Sequence, residues 1–100
     1  MIEPNTRTLR VGSTAYVWAR LTEKTGADVS ALTPDLRTVS PAGVISAWAA
    51  ANPVEHPSLD VIRAGLLHVA AEVGWWDLEA RLVDNPETEI VSLGGFRVVP

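Results

Sequence analysis

The feature that most constrains the fold is a stretch from Gly74 to Val83 in which apolar and charged residues alternate. Successive residues of a β-strand point to opposite faces of the sheet, so a period of two separates the residues into two surfaces. The apolar series comprises Trp76, Leu78, Ala80 and Leu82, and the charged residues between them are Asp77, Glu79 and Arg81. The stretch therefore predicts a strand with one face in a core and the other facing water or a partner.

A second alternating stretch runs from Thr14 to Thr22. One series is small or aliphatic (Ala15, Val17, Ala19, Leu21) and the other is Tyr16, Trp18 and Arg20. Burying the second series would also bury the charge of Arg20, which would then need a partner. We therefore expect the first series to face the core and the two aromatic side chains to lie outside.

The segment around Pro41-Ala42-Gly43 is typical of a hairpin. Proline presets its own φ and glycine tolerates unusual ones, so these residues predict a tight turn. We expect residues 36–40 and 44–49 to be the flanking strands. An alanine-rich helix over residues 42–51 is the competing interpretation.

The remaining predictions follow the same logic. Residues 66–73 and 89–100 read as strands, and the consecutive glycines Gly94 and Gly95 indicate a bulge or a close backbone approach in the second of them. Residues 84–87 predict a turn. Residues 52–58 contain two prolines and are expected to be irregular, whereas residues 59–64 fit either one helical turn or a strand.

About seven short strands, with turn signals roughly ten residues apart, predict an all-β, immunoglobulin-like sandwich of antiparallel strands. We expect residues 1–100 to form one domain with a single modest core, and residues 1–8 to be an N-terminal arm or a short edge strand. The sequence contains no cysteine, so the domain must be stabilised by packing without disulfides.

Charge and hydropathy exclude several classes of function. The net charge is −4, with residues 1–50 contributing +1 and residues 51–100 contributing −5, and no basic stripe that would bind nucleic acid is present. The longest purely apolar run, residues 47–51, is far too short to cross a membrane. The N-terminal residues lack the basic and apolar regions of a secretory signal peptide, so we expect none.

The order of motifs resembles that of a known family. A strand runs into Pro41-Ala42-Gly43, Gly65-Leu66-Leu67-His68-Val69 precedes Gly74-Trp75-Trp76-Asp77, and Phe96-Arg97-Val98 closes the chain. This order is similar to that of immunoglobulin-like β-sandwich modules in the structural proteins of tailed bacteriophages. The resemblance covers most of residues 9–100 and rests on short motifs.

The resemblance implies a non-enzymatic virion protein that is assembled in the host cytoplasm. A chain of one such module is similar to a capsid decoration subunit or a head–tail connector subunit. Its expected partners are capsid, connector or tail proteins and copies of itself. The alternative is a tail, baseplate or cell-surface module that binds carbohydrate through exposed aromatic rings.

The candidate functional residues are aromatic. Exposed aromatic side chains often anchor interfaces, so we assign Tyr16, Trp18, Trp48 and Trp75 to a partner interface. Trp76, in the apolar series of its strand, is expected in the core.

Catalytic and metal-binding arrangements find no support in the sequence. Asp77 and Glu79 share one side of a strand, but Arg81 follows on that side, so a partly neutralised surface explains them more simply than a calcium site. The only two histidines, His56 and His68, lack metal-ligand spacing, and His68 is expected to be exposed or half-buried. The serines lie in no nucleophile motif, so we assign no catalytic residue, metal or cofactor.

Overall fold

The structure, a computed structural model, describes residues 8–100 except 24, 27, 85 and 86. Within these described residues, eight strands follow one another: β1 (Thr8–Arg10), β2 (Thr14–Thr22), β3 (Asp35–Val39), β4 (Ala49–Ala50), β5 (Val54–Ser58), β6 (Val61–Val69), β7 (Gly74–Asp84) and β8 (Glu87–Val99). The described residues contain no helix, and hence none that could cross a membrane.

The strands form two sheets. One has five strands in the order β1-β8-β7-β3-β4, and the other has three in the order β2-β6-β5. Every pair is antiparallel except β1 and β8, which run parallel. The prediction of an all-β sandwich is confirmed, with eight strands where about seven were expected. The proposed N-terminal arm lies, apart from Thr8, outside the described residues.

Strand β7 is central to the larger sheet, between β8 and β3. Its apolar series faces the core as predicted: Leu78 and Ala80 are fully enclosed, Trp76 is 9% exposed, and Leu82 is partly buried against the core. The charged series lies on the opposite, outer face. Alternation alone was enough to assign the faces here, because only one series is apolar.

The core lies between the inner faces of the two sheets. On β2 the buried residues are Val17 and Ala19, which confirms the predicted face of that strand. They pack in one cluster with fully or almost fully buried side chains of the other strands, which include Leu36, Ile62, Ala64, Leu93, Phe96 and Val98.

Strand β8 contains the predicted bulge. Asp77 pairs with Gly95 and Glu79 with Ser92, so β8 has one more residue than β7 between these two pairs. Gly94 adopts a φ of 80°, which other residues rarely do, and this conformation accommodates the extra residue. The bulge keeps the apolar residues on both sides of it, Leu93 and Phe96, facing the core.

The hairpin after β3 is only partly as predicted. The turn is present: the amide of Gly43 donates to the carbonyl of Ser40 at 2.8 Å, and Gly43 has a φ of 84°. The expected strand over residues 44–49 is wrong, because pairing is limited to an isolated bridge at Ile45 and to β4. The competing helix does not form.

The structure corrects the boundaries of two further segments. The stretch 52–58 was expected to be irregular, yet residues 54–58 form β5. Pro57 is tolerated because β5 is an edge strand, where a missing amide need not interrupt a ladder, and the register slips between Glu55 and Ser58. The strand predicted over residues 66–73 lies instead at 61–69. The ambiguous stretch 59–64 is therefore a turn at residues 59–60 followed by the beginning of β6.

The expected exposure of His68 is wrong: its side chain was expected to be exposed or half-buried, but it lies in the core. It is only 8% exposed, and its ring makes edge contacts with Trp76 and Phe96 at centroid distances of 4.7 and 4.8 Å. Its Nε2 atom is buried without a hydrogen-bond partner among the described residues. Burial disfavours the charged imidazolium and lowers the pKa of His68 from its usual 6.5.

This environment predicts a loss of stability in acid. The unfolded chain binds a proton at His68 more readily than the folded one, so the free energy of unfolding decreases as the pH falls below 6.5 towards the folded pKa. Urea unfolding between pH 7.5 and 5 would measure this. His68→Phe is expected to weaken the pH dependence, whereas His56→Gln, at an exposed histidine, is expected to retain it. An equal slope in both variants would contradict the assignment.

Candidate partner-binding surfaces

The four aromatic residues assigned to an interface do not form one site. Tyr16 and Trp18 lie on the outer face of the three-stranded sheet. Trp48 and Trp75 lie over the outer face of the five-stranded sheet, on the opposite side of the sandwich. The four residues therefore belong to two separate surfaces with different chemistry.

The outer face of the three-stranded sheet carries a contiguous apolar patch. Tyr16 is paired across the strands with Leu67, and Thr14 with Val69. Tyr16 is 41% exposed, Leu67 56% and Val69 59%, so three sizeable apolar side chains face water side by side. We call Tyr16, Leu67 and Val69 the β2–β6 patch. Apolar clusters of this kind on a soluble domain are typical of contact surfaces.

Trp18 supports this patch and is itself partly covered. Its ring lies against Gly65, where a Cβ would approach the indole to 3.3 Å, and the guanidinium of Arg63 stacks on it at 3.8 Å from the ring centroid. Tyr16 packs beside it at 6.1 Å between ring centroids. Only a glycine at position 65 leaves room for the indole. The ring of Trp18 therefore packs on its own sheet, and only part of it is available to a partner.

Arginine charge accompanies the aromatic rings on this face. Arg20 lies directly across from Arg63, a like-charge pair that is unfavourable by itself. Arg63 is relieved by a 3.3 Å ion pair with Glu55, which is exposed and therefore weak. The Nε atom of Arg20 is buried and has no hydrogen-bond partner among the described residues.

Trp48 is engaged by its own chain. Two guanidinium groups, those of Arg37 and Arg81, lie over its ring at 4.1 and 4.8 Å from the centroid. Arg37 donates to a carboxylate oxygen of Glu79 at 2.7 Å, and Arg81 donates to Asp35 at the same distance. This indole therefore covers two ion pairs of its own chain, and its assignment to an interface stays a prediction.

Trp75 also lies on this outer face. Its side chain is the most exposed of the four tryptophans, with an exposed fraction of 49%. Its indole Nε1 donates to Oδ1 of Asp77 at 2.8 Å, and its ring lies over Gly95. The hydrogen bond and the glycine together hold the ring in one orientation. Trp75 thus forms a small platform with a carboxylate at its edge.

Asp77 and Glu79 share a face as predicted, but their partners differ from the expected one. Glu79 pairs with Arg37 of β3, not with Arg81 of its own strand. In the part of the chain that the structure describes, no group of three or more histidine, aspartate or glutamate residues is placed to bind a metal. The simpler interpretation, a partly neutralised surface, is supported by these ion pairs.

Sequence reasoning missed Leu67 and Val69 as surface residues. Both alternating series of β6 contain apolar side chains, so the pattern could not decide which series faces the core. It also missed Arg37 and Asp35, whose roles depend on the pairing of β3 with β7. No local signal in the sequence gives that pairing.

Comparison of the sequence with protein-family models and with curated proteins found no match. The functional conclusion therefore depends on the surfaces themselves and on the resemblance of the motifs.

Proposed function

We propose that this chain is a non-enzymatic structural subunit of a tailed-bacteriophage particle, either a capsid decoration protein or a head–tail connector subunit. It acts through protein–protein contacts with other virion proteins. The observation that carries the proposal is the β2–β6 patch, a rigid apolar surface on the outer face of a sheet. A sandwich that presents such a surface is suited to binding another protein by shape and burial.

The arrangement of the strands supports an immunoglobulin-like module. In immunoglobulin domains the second, fifth and fourth strands form one sheet, and the third, sixth and seventh form the other. If β2 is taken as the second strand and β4 as an addition beside the third, the orders β2-β6-β5 and β3-β7-β8 agree with that scheme.

The motifs that carry the phage resemblance are also neighbours in space. Gly74 pairs with Val98, Trp75 with Arg97 and Trp76 with Phe96, so the Gly-Trp-Trp and Phe-Arg-Val motifs form one cross-strand unit. Trp76 and Phe96 stack in the core with centroids 6.1 Å apart. Because these motifs pair and pack within the sandwich, they support the fold alone. The functional proposal therefore depends on the β2–β6 patch as separate support.

Removing the patch is expected to abolish incorporation into particles. In the variant Tyr16→Ser/Leu67→Ser, two exposed apolar contacts are lost while Trp18 and the core stay intact. Bacteria that produce the tagged variant are infected with the corresponding phage, from which the gene for this protein has been deleted. Purified particles are then analysed by quantitative mass spectrometry, and at least a tenfold loss of the subunit is expected.

The matched control is Val44→Ser/Ile45→Ser, which removes two apolar side chains that are at least as exposed (67% and 57%) as those of the patch variant, from the loop after β3. This variant is expected to be incorporated normally. Equal incorporation of the patch variant and the wild type would overturn the role of the patch. Absence of the wild-type protein from particles would overturn the virion assignment.

Trp75 supports a second candidate function, a carbohydrate-binding module. An exposed indole fixed by a carboxylate provides a stacking surface with a hydrogen-bonding group at its edge, which suits a sugar ring. Glycan binding by the purified protein that is lost in Trp75→Ala but retained in the patch variant would favour this candidate.

A further inference from the structure

Two tryptophans on the outer faces of the sheets carry a guanidinium group that is itself ion-paired. The guanidinium of Arg63 lies 3.8 Å from the ring centroid of Trp18, and Arg63 pairs with Glu55 at 3.3 Å. At Trp48 the arrangement occurs twice over one ring, in the ion pairs Arg37–Glu79 and Arg81–Asp35. Each of these rings therefore belongs to a set of three kinds of group: an indole, a guanidinium and a carboxylate.

The third outer tryptophan, Trp75, has a carboxylate beside it but lacks the guanidinium. Its indole Nε1 donates to Oδ1 of Asp77 at 2.8 Å, and among the described residues no arginine lies over its ring. Asp77 takes part in no ion pair with a described residue. The set is thus incomplete at Trp75, because no described cation contacts either the indole or the carboxylate.

The ring of Trp75 is both fixed and accessible. Its ring carbons lie over Gly95, where a Cβ would approach them to 2.8 Å, so the ring rests on the backbone of β8. The hydrogen bond to Asp77 fixes its edge, and the side chain is 49% exposed. A cation over the outward side of the ring would therefore bind a surface that is already ordered, which lowers the entropic cost of binding.

The chemistry of the site selects arginine. An indole face attracts cations, and a guanidinium is planar, so it can stack on the ring while it donates to a carboxylate at the ring's edge. The ammonium group of lysine is a compact, strongly hydrated charge without a stacking plane. A sugar ring would stack as well, but it would leave the charge of Asp77 uncompensated. The net charge of −4 further favours a basic partner.

Strand pairing places one arginine of the chain itself beside this site. Arg97 lies directly across from Trp75 on β8. Its side chain is exposed, and it neither lies over the ring nor pairs with a described carboxylate. Arg97 therefore leaves the ring uncovered, although its charge opposes that of an incoming guanidinium.

We propose that Trp75 and Asp77 bind an arginine side chain of another protein. The guanidinium stacks on the outward side of the indole and donates to the carboxylate of Asp77, which completes the set found at Trp18 and Trp48. The site lies on the sheet opposite the β2–β6 patch, so it goes beyond the proposed function and does not depend on it. It assigns Trp75 to a protein partner in place of the sugar of the second candidate.

The test is an NMR titration of the full, isotope-labelled chain with the peptide acetyl-Gly-Arg-Gly-amide at constant ionic strength. The indole N–H signal of Trp75 is expected to shift the most of the four, since the rings of Trp18 and Trp48 already carry guanidinium groups. The control peptide has citrulline in place of arginine, which keeps the shape and removes the charge. It is expected to bind about fivefold more weakly, or less.

Variants at exposed positions separate the contributions to binding. Asp77→Asn removes the charge but keeps an oxygen that accepts from the indole, so the affinity should fall about two- to fivefold. Trp75→Ala removes the stacking surface and should lower the affinity about fivefold or more, followed through neighbouring backbone amides. Arg97→Gln removes the like charge and is expected to strengthen binding about twofold. Glu89→Gln, at an exposed carboxylate elsewhere on the sheet, is the control for net charge and should leave binding unchanged.

Three results would overturn the proposal. The first is equal affinity for the arginine and citrulline peptides. The second is the absence of a shift at Trp75 with the arginine peptide, and glycan binding at Trp75 in that case would assign the site to sugar. The third is a nuclear Overhauser contact between the Trp75 ring and an arginine in the free protein. If independent of concentration, this contact would show that the chain supplies its own cation, and if increasing with it, that a second copy does.

These outcomes are separate from the test of the proposed function. Incorporation into particles is measured with variants of the β2–β6 patch, which lies on the other sheet. Failure of the arginine titration would leave that result unchanged.

Discussion

Replacing Phe96 with alanine is expected to lower the free energy of unfolding by about 3–5 kcal/mol. Phe96 is fully buried, stacks on Trp76 and contacts the edge of His68. Truncation would leave a cavity that its two aromatic neighbours, which lie on different strands, cannot fill without moving. A domain of this size has a total stability of about 5–15 kcal/mol, so the change removes a large part of it.

Thermal unfolding followed by calorimetry would measure this effect. A loss of about 3 kcal/mol corresponds to a decrease in Tm of roughly 12 °C or more in a domain of this length. The control is Leu67→Ala, where the side chain is 56% exposed and a change within about 0.5 kcal/mol is expected. Similar effects of the two substitutions would contradict the arrangement of the core.

Replacing Gly95 with alanine is expected to destabilise the fold by about 3 kcal/mol or more. A Cβ at this position would overlap the backbone oxygen of Trp76 and approach the ring of Trp75 to 2.8 Å. The backbone oxygen cannot move without breaking the pairing of β7 with β8. The overlap therefore affects the two strands that carry most of the five-stranded sheet.

The neighbouring glycine provides the matched control. Gly94→Ala places its Cβ in open space, and the cost is that of the positive φ alone, about 1–2 kcal/mol. Chemical denaturation of both variants would give the two values. If Gly94→Ala were the more damaging substitution, strain at the bulge would outweigh the close approach at Gly95, contrary to the expected order.

Several elements could be predicted from local sequence because one interpretation was physically much better than the others. In β7, one alternating series is apolar and the other charged, so burial of the wrong face would cost far too much. The same reasoning placed Tyr16 and Trp18 outside. The glycines at 94 and 95 indicated the bulge, because few other residues tolerate such backbone geometry.

Elsewhere local sequence was ambiguous. Both series of β6 contain apolar residues, and the position of His68 in the core follows from the aromatic rings of β7 and β8 that pack around it. The prolines of residues 52–58 indicated irregular structure, yet β5 forms because an edge position tolerates them. These outcomes depend on which strands are neighbours, information that is not local.

The candidate surfaces were likewise predictable only in part from the local sequence. The alternating pattern along the chain was enough to predict strands, a central strand with one apolar and one charged face, and aromatic side chains on outer faces. Which of these aromatic residues are available to a partner depends on cross-strand neighbours, and those are known only from the folded chain. Trp48 lies against Arg37 and Arg81, Trp18 against Gly65 and Arg63, and Trp75 beside Asp77, whereas Tyr16 shares its exposed patch with Leu67 and Val69. Strand pairing brings these distant residues together, and a period of two along one strand contains no information about the strand beside it.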